Sequence, residues 1–230
     1  MSERRGSLVA FDCSGASCSA AVLVDGRIAA ERFAAMERGQ AEALLPMIRD
    51  VMAEAGMDWA GVQAIATTVG PGSFTGVRLG LSAARGLALA AGRPIIPLTA
   101  FEAVAAGLEA DGLAGDRRPV AIAIDSRRGP VFAQRFDPDL RPSGDPAQVE
   151  PEDMAGWLGA GAWRIVGDGV ANLADQRFAA GIRLDAEIRR IRAGDLARAA
   201  QALGHAGIDR LPAQPLYLRA PDVTQPKPRP

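Results

Sequence analysis
Val120-Ala121-Ile122-Ala123-Ile124-Asp125 restarts a pattern first met at Leu8-Val9-Ala10-Phe11-Asp12. In both, a short apolar run delivers an aspartate to a turn, as a buried strand does where it leaves its sheet. A second strand follows each. In the first half it is Ser17 to Val24, continued through the hairpin signal Asp25-Gly26 into residues 27–33; in the second it is Val131 to Phe136. One such match is weak, but two at the heads of successive halves predict a duplicated ribonuclease-H-like unit, and so an α/β protein of two lobes. Polar, glycine-containing and aperiodic sequence over 111–118 places the boundary between them. The expected division is 1–112 for the N-terminal lobe, 113–219 for a smaller C-terminal lobe and 220–230 for a Pro-rich tail.

Between the two openings, Leu44, Met47, Ile48, Val51, Met52 and Ala55 recur at helical spacing opposite Arg49, Asp50 and Glu54. This predicts an amphipathic helix over 40–55, with a kink or a late start at Pro46. A buried strand over 62–69, a glycine loop over 70–76, a helix over 75–91, a strand over 94–98 and a helix over 99–108 complete the first half. The second half is thinner: a strand over 164–166, a Gly167-Asp168-Gly169 turn and a helix near 194–203. From Leu211 on, Pro212, Pro215 and the later prolines exclude a helix and predict a frayed end.

Rare residues exclude more chemistry than the averages do. The only lysine is Lys227, in the tail, which leaves no phosphate-loop or Schiff-base lysine. The only histidine is His205, which excludes zinc sites built on paired histidines and leaves a single candidate base for a Ser-His or Cys-His nucleophile pair; at a helix end it reads instead as a cap or surface residue. Cys13 and Cys18 match no zinc or thioredoxin spacing and read as reduced thiols. The 26 basic residues against 27 acidic leave a net charge of -1, which argues against gripping nucleic acid without a partner's surface. The run from Leu8 to Phe11 is too short for a signal peptide, and Gly70, Pro71 and Gly72 interrupt the longest uncharged stretch, so a soluble cytoplasmic protein with no membrane partner is expected.

Several features carry two readings. Gly70-Pro71-Gly72-Ser73-Phe74-Thr75-Gly76 lies between a strand and a helix, where it could be a structural turn or could offer free amides to an anion. It is not a phosphate-binding P-loop, because Val77-Arg78 stands where the Lys-Ser/Thr pair belongs. Gly76, Gly80, Ala84 and Ala88 form a small-residue stripe that lets either the protein's own sheet or a partner helix approach. Asp12 and Asp125 are turn formers or a carboxylate pair for a metal. Gly167-Asp168-Gly169 is a turn or a phosphate loop, and Ser14 sits in the turn beyond Asp12.

The string GPGSFTGVRLG, with Ala83 to Ala88 behind it, resembles the bacterial TsaB (YeaZ) family of the glycoprotease-like superfamily, the noncatalytic subunits of tRNA threonylcarbamoyladenosine synthesis. AFDCS with its SAAVL strand, EALLPMI at 42–48, IDSRRG at 124–129 and Pro215-Leu216-Tyr217-Leu218-Arg219 extend the likeness. Departures stand at Gln40, where the family often has His, at Cys13, and at Pro130-Val131-Phe132. The resemblance implies two lobes of the actin-like, sugar-kinase-like ATPase class and a relation to the catalytic subunit TsaD, whose metal is held by paired histidines absent here. It implies a scaffold with no catalytic residues, metal or cofactor of its own, ATP and a metal being expected on partner subunits. The implied partners are a TsaD-like catalytic subunit, a TsaE-like ATPase, tRNA through the complex only, and a second copy when alone. The expected partner surface comprises Leu44, Leu45, Ile48, Val51, Met52, Val77, Gly80, Leu81, Ala84 and Leu87. Asp12, Ser14, Asp125, Gly167, Asp168 and Gly169 would form a vestigial nucleotide or phosphate site; the alternative is a small-molecule kinase or ATPase that uses it.

Overall fold
In the computed structural model, which describes residues 6–113 and 118–219, the strand that carries Leu8–Asp12 (β1) is buried along its whole length. An apolar strand of this kind is stable only with partners on both edges and cover on both faces. On one edge it pairs antiparallel with β2 (Ser17–Val24), which turns back into β3 (Arg27–Ala35). Asp25 and Gly26 both have positive φ, the conformation that a two-residue hairpin demands. On the other edge it runs parallel to β4 (Ala64–Thr68), which pairs with β5 (Ile95–Leu98). The sheet order is β3-β2-β1-β4-β5.

The second sheet repeats it. β6 (Val120–Asp125) is central, antiparallel to β7 (Val131–Phe136), which pairs with β8 (Ala147–Val149); β6 is parallel to β9 (Trp163–Gly167), and β10 (Ile182–Ile188) completes the other edge. The order β10-β9-β6-β7-β8 is the first sheet's order again, so the chain has the two ribonuclease-H-like lobes expected for the actin-like and sugar-kinase ATPase class.

One face of the first sheet is covered by α1 (Gln40–Glu54) and α2 (Phe74–Ala91). The helix α1 starts at Gln40 behind Gly39 and carries Pro46 inside it, so the expected late start does not occur. On the opposite face, α3 (Ala100–Ala110) and α5 (Ala193–Leu203) share one core with both sheets: Ala103, Leu108, Leu196, Ala197 and Ala200 join Ala10 and Ala66 of the first sheet to Ile122 and Phe136 of the second. The helix α3 is fixed at its start by a reciprocal cap between Thr99 and Glu102. The short helix α4 (Met154–Leu158) packs in the second lobe, with Met154 and Leu158 buried.

Two expectations are corrected. The unit 113–219 does not keep to itself, because α5 returns to the first sheet: Leu196, Ala197 and Ala200 are buried in the shared core, and Glu31 of β3 accepts hydrogen bonds from the Gly194 amide and from Arg192. A small-residue face and an acid at a helix N-terminus explain that choice. Nor is the chain frayed from Leu211. Leu211, Ala213 and Leu216 pack on Val69, Val77 and Leu81, and the Leu216 amide donates to the Val69 carbonyl at 2.8 Å. The tail 220–230, with Lys227, and residues 114–117 of the linker lie outside the described residues. Among the described residues no helix is long and apolar enough to cross a membrane.

Candidate functional site
Asp12 and Asp125 end the equivalent central strands β1 and β6, and the Asp168 carboxylate of the second lobe lies beside Gly15 in the turn that follows Asp12. Asp12 is 1% exposed, and its carboxylate accepts hydrogen bonds from the Thr68 hydroxyl, the Ser14 hydroxyl at 2.8 Å and the Ser14 amide at 3.2 Å. Burial pushes its pKa up, and the three hydrogen bonds oppose that rise. This is a carboxylate that ties β1 to the end of β4.

The glycine loop is tied to the same turn. The Ser73 amide donates to the Ser14 carbonyl at 2.7 Å, the Gly76 amide donates to the Ser73 hydroxyl at 3.0 Å as an N-cap, and the Cys13 thiol donates to the Gly76 carbonyl. A side chain at Gly76 would run into the Cys13 carbonyl, which is why glycine stands there. Of the two readings of Gly70 to Gly76, these bonds favour the turn, since the amides of Ser73 and Gly76 already have acceptors.

In the second lobe, the Asp125 amide donates to Asp168 at 2.9 Å, Asn172 donates to the Asp125 carboxylate at 3.1 Å, and the Arg127 amide donates to it at 2.8 Å. The Arg127 guanidinium also pairs with Glu37 of the first lobe. Asp168 is raised from 3.8 to about 6, chiefly by burial and further by Asp125, while the Asp125 amide and Arg127 oppose the rise. Gly167 and Gly169 press against the backbone of Ala123 and Ile124, so the turn that carries Asp168 begins in contact with β6. Among the described residues no group of three or more acidic, Cys or His side chains could hold a metal. Both thiols are buried, Cys18 being pushed up to about 11 by burial and by Asp12.

The expected partner surface is corrected by burial. Leu44, Ile48, Val51, Met52 and Ala84 belong to the core beneath α1 and α2. Val77 and Leu81 are buried against the C-terminal strap, and Gly80 faces Thr67 and Cys13. Leu87 is half-buried and Leu45, at 54% exposure, faces solvent. The stripe Gly76, Gly80, Ala84 lies against the protein's own sheet. The outward face of α2 carries a second small-residue stripe, Ser82, Gly86 and Ala90, beside Leu89, which is 87% exposed. That stripe has the same four-residue spacing, and spacing alone does not say which way a stripe faces.

A further cluster is not legible in the sequence. Tyr217, the only tyrosine, stacks on Phe74 at 5.7 Å between centroids; the Arg78 guanidinium lies 3.6 Å over Phe74, and its Nε donates to the Tyr217 hydroxyl at 2.7 Å. The signal was present in the segment Pro215 to Arg219, which carries the family likeness yet has no periodicity to place it.

Residues 34–161 match the family described as TsaD: tRNA N6-adenosine threonylcarbamoyltransferase. The tRNA threonylcarbamoyladenosine biosynthesis protein TsaB of Escherichia coli strain K12 is 36% identical over 132 residues, covering 57% of this chain and 55% of that protein. A tRNA N6-adenosine threonylcarbamoyltransferase of Erythrobacter litoralis is 51% identical over 65 residues, 28% of this chain and 19% of that protein. The solved structure of YeaZ from Pseudomonas aeruginosa superposes with a TM-score of 0.79 at 32% identity, covering 93% of this chain and 100% of that one. The chain spans about half the length of the curated relatives it matches.

Proposed function
The chain belongs to the TsaB (YeaZ) family, and on that premise we propose that it is a noncatalytic subunit of a cytoplasmic complex that transfers a threonylcarbamoyl group to the tRNA adenosine beside the anticodon. It binds a TsaD-like catalytic subunit, works with a TsaE-like ATPase, and brings no metal or nucleotide of its own.

The observation that carries the scaffold role is the outer face of α1 and α2. Leu45 and Leu89 are large apolar side chains left in solvent, and a Cβ built at Gly86 would meet nothing within 4 Å. A partner helix laid over Ser82, Gly86 and Ala90 could approach the α2 backbone closely and bury both leucines at its margins. The same face would serve a homodimer when the catalytic subunit is absent. The noncatalytic role is supported by Asp12, whose carboxylate is already engaged by Thr68 and Ser14.

The test is co-purification with the TsaD-like and TsaE-like subunits, followed by a threonylcarbamoyl-transfer assay with and without this chain. Stable association and transfer that depends on the chain are expected, with no turnover of ATP by the chain alone. Phosphoryl transfer by the isolated protein that vanishes in Asp12→Ala would overturn the scaffold reading in favour of a kinase or ATPase.

A further inference from the structure
The helix α2 carries two charged side chains, Arg78 and Arg85, and no carboxylate. Both arginines are exposed, and their seven-residue spacing sets them about two turns apart on one side of the helix. A helix face in solvent ordinarily mixes its charges, with opposite signs three or four residues apart. Here those positions hold Phe74, Thr75, Leu81, Ser82, Ala88 and Leu89. No other element supplies the missing acid. Among the described residues, Arg78 meets the Phe74 and Tyr217 rings and the Tyr217 hydroxyl, and Arg85 meets the Ala213 carbonyl. The C-terminal strap therefore fixes both guanidinium groups through neutral partners and leaves each without a counter-ion. On the same side of α2, Leu89 is 87% exposed and Gly86 has open space over it.

We propose that Arg78 and Arg85 are the polar anchors for the catalytic subunit on this face, and that they receive a helix of that subunit bearing two carboxylates about two turns apart. The inference rests on the tRNA-modification reading, in which a TsaD-like subunit covers α1 and α2, and it names the chemistry that makes the contact specific. An apolar face alone accepts a partner helix in many registers, whereas two cations at a set spacing accept carboxylates in one. Arginine suits the role because its planar N–H fork can meet a carboxylate with two parallel bonds. Holding each guanidinium in place beforehand reduces the rotamer entropy lost on binding. Ser82, between the two arginines, and Gly86 beyond it let a partner backbone come close enough for carboxylate side chains to reach them.

The test measures the affinity of this chain for the TsaD-like subunit at several salt concentrations, with the free chain dilute enough to be monomeric. Arg78→Gln and Arg85→Gln should each weaken association about 3- to 30-fold, and Arg85→Glu about 10-fold further. Glutamine and glutamate have nearly the same shape, so a residue that only filled space would give the two Arg85 variants equal affinity; that result would overturn the inference. Arg85 is exposed and bonds a single carbonyl, so its variants should keep the monomer's melting temperature within about 2–3 °C. Added salt should weaken association of the parent more than that of the Arg78→Gln, Arg85→Gln double variant, because screening acts on the ion pairs the variant lacks. Acidic residues on the helices of the TsaD-like subunit, changed to lysine one at a time, should include one that restores Arg85→Glu to within about threefold of the parent. Failure of every such reversal, or parental affinity in the folded double variant, would also overturn the inference. Failure of the unaltered chain to bind the TsaD-like subunit would instead overturn the functional reading itself.

Discussion
Removing the Asp12 carboxylate would leave three donors in a buried site without their acceptor, the hydroxyls of Thr68 and Ser14 and the Ser14 amide. Asp12→Ala should therefore lower unfolding stability by about 2–4 kcal/mol, read from urea denaturation of the free chain, and a variant as stable as the parent would refute this tie. The sequence shows that an aspartate ends β1, but its partner Thr68 lies on another strand and no local pattern joins the two. Asp168 bears on pH. Its folded pKa, about 6, stands above the ordinary 3.8, so its contribution is fully present below about pH 4, where folded and unfolded chains are both protonated. As pH rises toward 6 the unfolded chain ionises first, and the contribution is lost. Asp168→Asn keeps an oxygen for the Asp125 amide and has no proton to lose. At pH 8 it should be about 1–3 kcal/mol more stable than the parent, with a flatter profile between pH 4 and 6. Thermal unfolding across that range decides it, and equal slopes in both proteins would assign the pH dependence to another group, such as Asp12, which is also raised by burial.

At the scale of the element, α2 shows how far periodicity reaches. Its existence, its glycine-rich entry and its small-residue stripe are all readable in the sequence, because each depends on residues a few positions apart. Its facing is not, since 76/80/84 and 82/86/90 have the same spacing and only the fold puts one against Thr67 and Cys13 and leaves the other open. Gly80→Leu and Ala84→Trp therefore act on the free protein. A Cβ at Gly80 already sits 3.4 Å from the Thr67 hydroxyl and 3.6 Å from the Cys13 sulfur, and Ala84 is 0% exposed. Each substitution should cost about 1–3 kcal/mol or more and lower the melting temperature of the chain alone. Normal melting with selective loss of a partner would return this stripe to the interface. The short elements β8 and α4 left too little pattern to be found; β10 alternates Ile182, Leu184, Ala186 and Ile188 with Arg183, Asp185 and Glu187, a period-2 signal from which the strand was legible, whereas the strap from Leu211 to Leu218 is held by one backbone bond and scattered side chains that no period announces.

In the whole molecule, two copies of one sheet order are joined by helices that belong to both. The duplication is legible at Leu8–Asp12 and Val120–Asp125 because each opening is local; the return of α5 to the first sheet is not, because it depends on Glu31 meeting the Gly194 amide across the chain. That return leaves α1 and α2 as the outer layer of the first sheet, with Leu45 and Leu89 exposed. If this face receives the catalytic subunit, the double variant Leu45→Glu, Leu89→Glu should place two carboxylates into an apolar interface and weaken association about 10- to 1000-fold, the range expected when central anchors are removed. Neither side chain is part of the buried core, so the melting temperature of monomeric protein should change by no more than about 2–3 °C, as for surface substitutions worth roughly 0.5 kcal/mol. A homodimer built on the same face would also dissociate, and its melting temperature would fall for that reason alone. The measurements are therefore made together: mass in solution, thermal unfolding at a concentration where the chain is monomeric, and affinity for the TsaD-like subunit. Parental affinity in a folded double variant would place the catalytic subunit elsewhere on the molecule, while weakened affinity with unchanged monomer stability would assign it to the outer face of α1 and α2.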